Sequence, residues 1–138
     1  MSAGPEVQTL QAGALRMRVA TQGSGPLVVL ATLPGEEHGI CLQMAAIGVV
    51  AQGGRVRILG TSTPIEQIVR AAEETQARGV AVSVSLANGG VATDRELGRL
   101  RKALPADVRL AAGGEGMRGA RRGSPGVTRL SALDDLNA

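Results

Sequence analysis

The hydrophobic pattern of the chain becomes regular after its first 26 residues. Residues 27–32, Leu-Val-Val-Leu-Ala-Thr, form a continuous apolar run, which is typical of a strand buried on both faces. Runs of the same character follow at 55–59 and at 80–86, where β-branched residues dominate. Two further short runs, at 108–112 and 126–130, complete a set of five predicted strands.

Helical patterns separate the first four of these strands. Residues 37–52 have apolar positions at helical spacing and end at a Gly-Gly pair, and residues 64–78 have a proline in the first turn. Residues 94–104 place three inward-facing leucines before Pro105. Alternating strands and helices predict a parallel sheet with helices on both faces. Because crossovers are right-handed, the expected fold class is α/β, a doubly wound five-stranded parallel sheet.

The two ends of the chain have weaker patterns. Residues 1–26 are expected to be an N-terminal tail or a weak first element, and residues 27–138 the domain itself. Apolar residues between positions 8 and 20 are compatible with a short edge strand, a helix or a disordered segment. A last helix capped by Ser131 is predicted, whereas the glycine-rich stretch 115–126 is left without a predicted conformation.

Composition indicates one globular domain. The chain has 138 residues, of which 43% are apolar and 20% charged, as in ordered single domains. Its apolar runs are far shorter than the ~20 residues that a membrane span needs. The N-terminus lacks the basic-then-apolar pattern of a signal peptide. A cytoplasmic protein without membrane association is therefore expected.

Missing residue types exclude several functions. The chain has no Phe, Tyr or Trp, which argues against aromatic stacking on nucleic-acid bases or on a flavin. Its net charge of +3 is spread along the chain, so direct nucleic-acid binding is not expected. One histidine and one cysteine, His38 and Cys41, exclude a zinc site of several His or Cys ligands and an internal disulfide. Cys41 is expected to be buried as a small apolar residue.

Other ligand-binding motifs of doubly wound folds fit poorly. The phosphate-loop pattern is absent, and the third predicted strand ends without the aspartate of a phosphorylatable receiver. Residues 114–119 match Gly-x-Gly-x-x-Gly, but they follow the fourth strand rather than the first. Ser85 and His38 as a hydrolase pair would lack the Gly-x-Ser-x-Gly turn.

Candidate chemistry lies in the loops after the strands. In open parallel sheets, ligands bind beyond the carboxyl ends of the strands. His38 occupies the first of these loops, next to Glu36 and Glu37. A neutral imidazole is a good ligand for a transition metal that a macrocycle already holds, and a nearby carboxylate can fix its tautomer. A solvated loop histidine with acidic neighbours is the alternative interpretation of these residues.

Four loop segments together resemble a known family. Residues 34–42, Pro-Gly-Glu-Glu-His-Gly-Ile-Cys-Leu, resemble the Asp-x-His-x-x-Gly loop of cobalamin-binding domains. They are closer to its Gly-Glu-x-His variant in the effector domains of MerR-type transcriptional regulators. The likeness continues in Leu-Gly-Thr-Ser-Thr-Pro at 59–64, in Val-Ser-Val-Ser-Leu at 82–86, and in Leu-Pro-Ala-Asp-Val at 104–108, followed by Gly113-Gly114.

This resemblance implies a flavodoxin-like domain that binds cobalamin base-off, with the benzimidazole of the cofactor detached from cobalt and buried in the domain. His38 would replace it as the lower axial ligand of the cobalt, and Glu36 or Glu37 would accept a hydrogen bond from its other ring nitrogen. The remaining implied contacts are Gly39 and Ile40 beside the histidine, Thr61 and Thr63 in the cleft, Ser83 or Ser85 at the benzimidazole, and Gly113 and Gly114 along the nucleotide tail.

The role implied by the resemblance is a non-catalytic module, regulatory or sensory, in transcription regulation; the upper axial ligand is left open. A cobalamin-carrying subunit of a mutase or methyltransferase with a separate catalytic chain is the first alternative. An interaction module that no longer binds cobalamin is the second, and Cys41 stands where the family motif has its second glycine. The first 26 residues are too few for the helical bundle that covers the upper corrin face, so either a partner protein or a second copy is expected there, or the chain is a fragment of a longer regulator.

Overall fold

The computed structural model describes residues 6–12, 15–21, 25–85, 90–114, 117 and 126–130. In chain order, its elements are β1 (Glu6–Ala12), β2 (Leu15–Thr21), β3 (Leu27–Thr32), α1 (Ile40–Ala51), β4 (Arg55–Gly60), α2 (Ile65–Glu74), β5 (Gly79–Ser83), α3 (Val91–Ala103), β6 (Arg109–Gly113) and β7 (Val127–Leu130).

The last five strands form one parallel sheet in the order β4-β3-β5-β6-β7. The predicted five-stranded parallel sheet is thereby confirmed. β3 is flanked by β4 on one side and by β5 on the other, so the direction of winding reverses at its carboxyl end. In open α/β sheets, this reversal is the usual place for a ligand. The loops that follow β3 and β5 therefore define the site.

Alternate residues of the central strands supply two cores, one on each face of the sheet. Val29 and Ala31 pack with α2 and α3, whereas Leu30 packs with α1. On α3, Leu97 and Leu100 are fully buried, as their spacing predicts. Burial of one such side chain stabilises the fold by roughly 1.5–3 kcal/mol. Helices therefore cover both faces, and the doubly wound prediction is confirmed.

Several predicted boundaries are wrong by a few residues. α1 begins at Ile40 rather than at residue 37, so His38 precedes the helix. α2 ends at Glu74 instead of continuing to Gly79, because Gln76 adopts a positive φ of 51° that a helix cannot contain. α3 begins at Val91, three residues before the predicted start, directly after Gly90 with its φ of 132°.

The third predicted strand was also too long. β5 ends at Ser83, whose register partner on β6 is Gly113. Ser85 leaves the ladder because its N–H binds a carboxylate from the β3–α1 loop instead of a neighbouring strand. Gly113 itself is the last residue of β6 rather than part of the following loop.

The N-terminal segment forms an antiparallel hairpin of its own. β1 pairs with β2 in a register that places Leu10 opposite Met17. The hairpin contacts α1 and is separate from the parallel sheet. The sequence of this segment is compatible with an edge strand, a helix or disorder, and the structure shows strands. The predicted helix from Ser131 and nearly all of the stretch 115–126 lie outside the described residues.

Cys41 is exposed, so the prediction of a buried thiol is wrong. The buried residues of α1 are Leu42, Ala46 and Val49, which follow one another at the four- and three-residue spacing of a single helix face. Cys41 lies outside this row, beside Ile40, which is 51% exposed.

Candidate functional site

The loop after β3 turns back on itself and directs Glu36 into the protein. The Glu36 N–H donates to the carbonyl of Leu33 at 3.0 Å, and Gly35 adopts a φ of 87°, which residues with a Cβ rarely occupy. The Thr32 hydroxyl donates to the carbonyl of Glu36 at 2.8 Å. Glu36 is consequently only 3% exposed.

The loop between β4 and α2 holds this turn in place. The Ser62 N–H lies 2.9 Å from the Glu36 carbonyl and 2.8 Å from the Thr32 hydroxyl, and the Ser62 hydroxyl accepts the Gly35 N–H at 3.0 Å. Ser62 reaches this position with a φ of 47°. Sequence reasoning missed Ser62, since a serine in a polar loop has no distinguishing signal.

The Glu36 carboxylate is the centre of the site. Its Oε1 accepts the backbone N–H of Ser85, and its Oε2 accepts the Ser85 hydroxyl at 3.0 Å. Oε2 also lies 3.1 Å from Nδ1 of His38 and 3.3 Å from the His38 backbone N–H. The structure thus joins Glu36, His38 and Ser85 in one network across 49 residues of sequence.

This network keeps Glu36 ionised. Burial raises the pKa of the carboxyl group, but hydrogen bonds from Ser85 and then from His38 outweigh burial and lower it from 4.5 to about 2. An ionised carboxylate only accepts hydrogen bonds, so a neutral His38 ring carries its proton on Nδ1. Nε2 then keeps a free lone pair, on a side chain that is 65% exposed.

The remaining residues of the histidine loop have different surroundings. Glu37 is exposed, and Glu36 is the carboxylate that bonds the ring. Gly39 packs so closely that a Cβ there would lie 2.9 Å from Cγ2 of Thr61. Thr63 is buried, and its hydroxyl donates to the carbonyl of Gly60 at 3.1 Å. Thr63 therefore stabilises the loop through its hydroxyl group.

The ends of β5 and β6 come together beside Glu36. Ser83 and Gly113 are the last register pair of the two strands. Gly114 follows with a φ of 110°, and a Cβ there would overlap the carbonyl oxygen of Val84. Only glycine fits this position, because both the backbone angle and the free space exclude a side chain.

A cleft of about 160 Å³ lies between the β3–α1 loop and the start of α3. Its lining consists of Leu33, Pro34, Glu36, Ser83, Val84, Ala92, Thr93 and Glu96. Thr93 and Glu96 were not predicted as site residues, since charged and polar residues on an amphipathic helix are usually a solvated face.

The site is not built to hold a bare metal ion. Within the described ranges, no group of three or more His, Cys, Asp or Glu side chains has the arrangement of a metal site. His38 instead suits a metal whose other ligands come from elsewhere. Among the described helices, none is long and apolar enough to cross a membrane.

Sequence comparison identifies a family for most of the chain. The profile of the B12 binding domain family matches residues 26–128. No curated protein sequence matches the chain significantly.

Similar solved structures share this fold at low sequence identity. A cobalamin-binding protein from Desulfitobacterium hafniense DCB-2 superposes with a TM-score of 0.63 and 22% identity, over 81% of this chain and 56% of that protein. The methanol:cobalamin methyltransferase complex from Methanosarcina barkeri gives 0.64 and 17%, over 80% and 43%. The monomethylamine corrinoid protein from the same organism gives 0.59 and 18%, over 80% and 56%. This chain thus spans about half the length of these proteins.

Proposed function

Because the chain belongs to the B12 binding domain family, we propose that it binds cobalamin base-off, with His38 as the lower axial ligand of the cobalt. The observation that carries this proposal is the pairing of His38 with a buried carboxylate. Nδ1 lies 3.1 Å from Glu36 while the ring itself is 65% exposed. Nε2 remains available, and a metal outside the protein surface would be coordinated by this nitrogen.

Glu36 and Ser85 act in this proposal as positioning residues. A carboxylate on the second nitrogen of a ligating histidine fixes the ring orientation and raises its basicity. Ser85 donates twice to Glu36 and so prevents the carboxylate from rotating away from the ring. The three residues together hold one imidazole nitrogen in a defined direction before any ligand arrives.

We assign the nucleotide tail of the cofactor to the ends of β5 and β6. Ala81, Ala111 and Gly113 are small residues on the face of the sheet that α1 covers, and Ser83 lines the cleft near the same edge. Small side chains would let a planar base approach the sheet more closely than large ones. Bound cobalamin supplies cobalt–carbon bond chemistry, and the protein supplies binding and orientation.

A spectral titration tests the proposal. Hydroxocobalamin or adenosylcobalamin is added to the protein and to the His38→Ala variant, and the visible spectrum and co-elution on gel filtration are followed. Glu37→Ala serves as the matched control, since Glu37 is an exposed neighbour of the histidine. A spectral change in the native protein and the control, lost in His38→Ala, is expected. An unchanged native spectrum without co-elution would contradict cobalamin binding.

We further propose that the chain presents the cofactor to another polypeptide and has no catalytic activity alone. The sequence likeness to MerR-type effector domains supports a regulatory or sensory role. The fold shared with methyltransferase corrinoid proteins supports a carrier role. In both roles a partner or a second copy covers the upper corrin face, and the exposed apolar residues Ile40 and Met44 near His38 support such a contact. A catalytic subunit recovered with the tagged protein favours the carrier, and a DNA-binding regulator favours the sensor.

A further inference from the structure

One buried carboxylate oxygen on α3 has no partner. Oε1 of Glu96 accepts a hydrogen bond from Arg99 at 3.2 Å, but Oε2 is buried without any hydrogen bond in the described part of the chain. A buried oxygen of a charged group destabilises a protein unless a donor reaches it. Its position is therefore unfavourable in the free protein, which points to a donor supplied by a ligand.

Glu96, the residue that carries this oxygen, lines the cleft that adjoins the proposed cofactor site. Glu96 lines this cleft of about 160 Å³ together with Glu36 and Ser83. The volume is several times the roughly 30 Å³ that one water molecule occupies in the liquid, so a short polar side arm fits. Because Glu36 also holds His38, a group bound in the cleft lies beside the lower face of a ligand coordinated by that histidine.

We propose that this cleft is a subsite for a carboxamide of the corrin periphery, with Oε2 of Glu96 accepting its N–H. This inference rests on the proposed function. The lower face of the corrin ring carries propionamide arms, whose NH₂ groups are hydrogen-bond donors. A carboxylate arm in the same place would face the Glu96 carboxylate, and like charges at short range repel. The subsite would thus select the amide form of the cofactor.

A cation explains the cleft less well than an amide. The Glu36 carboxylate already accepts donors from Ser85 and His38, so it has little capacity left for a metal ion. Across the ranges that the structure describes, no third acidic, histidine or cysteine ligand completes a metal site. A neutral donor needs only the one free oxygen.

The test compares cobalamin with its three monocarboxylates in which one lower-face propionamide has been hydrolysed to the acid. Binding to the native protein, to Glu96→Gln and to Glu74→Gln is measured by spectral titration. Glu74 is an exposed carboxylate on α2, outside the cleft. The native protein and Glu74→Gln should bind one of the three isomers about ten- to a hundredfold more weakly than cobalamin. In Glu96→Gln this ratio should fall to a few-fold, because an amide side chain can both donate and accept.

The outcomes separate the subsite from the proposed function. Equal binding of all four corrinoids by the native protein, or discrimination that persists in Glu96→Gln, overturns the subsite and leaves cobalamin binding intact. Failure of the native protein to bind cobalamin overturns the proposed function and the subsite with it. An unchanged spectrum of cobalamin bound to Glu96→Gln shows that the variant is folded and that His38 still contacts the cobalt.

Discussion

Glu36 is the residue on which the geometry of the histidine loop depends. Its carbonyl accepts hydrogen bonds from Thr32 and Ser62, and its carboxylate accepts them from Ser85 and His38. One side chain therefore connects the loops that follow β3 and β5, and its backbone connects the loop that follows β4. Such a buried, fully bonded charge is costly to disturb, because each donor loses its acceptor at the same time.

Replacement of Glu36 by Gln is expected to weaken both the fold and the site. The amide NH₂ would face donors from Ser85 or His38, so at least one hydrogen bond becomes a donor–donor contact. We expect a loss of about 1–3 kcal/mol in the free energy of unfolding, measured in urea, and a ten- to hundredfold loss of cobalamin affinity. Glu37→Gln, on the exposed neighbour, should leave both quantities unchanged; equal effects of the two variants would show that Glu36 has no special role.

Cys41 provides a probe for occupancy of the site. It is the only cysteine in the sequence and is exposed three residues after His38. A maleimide reagent should label it readily in the free protein. If the corrin lies over the histidine loop, saturation with cobalamin should slow labelling at least several-fold, as followed by mass spectrometry. The His38→Ala variant is the control, and it should be labelled at the same rate with and without cobalamin.

At the scale of elements, the parallel strands place the loops that follow them at one edge of the sheet. Backbone hydrogen bonds between neighbouring loops then hold these loops together. The Val84 N–H donates to the Gly113 carbonyl at 2.8 Å beyond the end of β5. This contact requires β6 to turn sharply at Gly114, whose φ is 110°. The glycine pair at the end of β6 is thus needed for the shape of the edge itself, in addition to any contact with a ligand.

Two glycine-to-alanine substitutions should have opposite effects. Gly114→Ala forces a Cβ onto the Val84 carbonyl and into a positive φ, so we expect a loss of at least 1–3 kcal/mol in the free energy of unfolding. Gly98→Ala, inside α3 with no atom within 4 Å of the added Cβ, should stabilise the protein by about 0.5–1 kcal/mol. Chemical denaturation measures both, and a neutral Gly114→Ala would show that the turn tolerates a side chain.

At the scale of the whole molecule, the winding reversal at β3 converts separate loops into one site. β3 lies between β4 and β5, so the loops after these three strands meet at one edge of the sheet. Helices on both faces bury the strands, and Glu96 of α3 lines the cleft at that edge. The arrangement leaves a cleft where the connections that follow β3 and β5 diverge to opposite faces of the sheet.

The acid stability of the molecule should depend on Glu36. Its pKa is about 2 in the folded protein and 4.5 in the reference state, so the unfolded chain binds more protons as the pH falls. The contribution of Glu36 is fully present above pH 4.5 and is lost progressively as the pH falls toward 2. We expect it to total roughly 3 kcal/mol, of which about 2 kcal/mol should be lost between pH 6 and pH 3, as measured by urea unfolding. Glu36→Gln should lack this part of the pH dependence. If the free energy of unfolding changed with pH in the same way in the variant and in the native protein, this role of Glu36 would be contradicted.

Local patterns predicted the elements of the domain better than their ends. The strand around Leu30, the helix around Leu97 and the parallel arrangement followed from periodicity and alternation alone. Periodicity did not predict the end of β5 or the exposure of Cys41, since each depends on a neighbour from another part of the chain. Ser85 leaves its strand because Glu36 accepts its N–H, and no periodicity in either segment encodes that bond.

The sequence by itself determined the five strands, the three helices between them, and a carboxyl edge bearing one histidine beside two glutamates. Side-chain periodicity and chain direction suffice for these features, because both are properties of short segments. Only the tertiary structure decided which carboxylate bonds His38, that Ser85 rather than Ser83 donates to that carboxylate, and that Oε2 of Glu96 has no hydrogen-bond partner among the described residues. These outcomes depend on the strand order and on contacts between residues 49 positions apart, which no local pattern specifies.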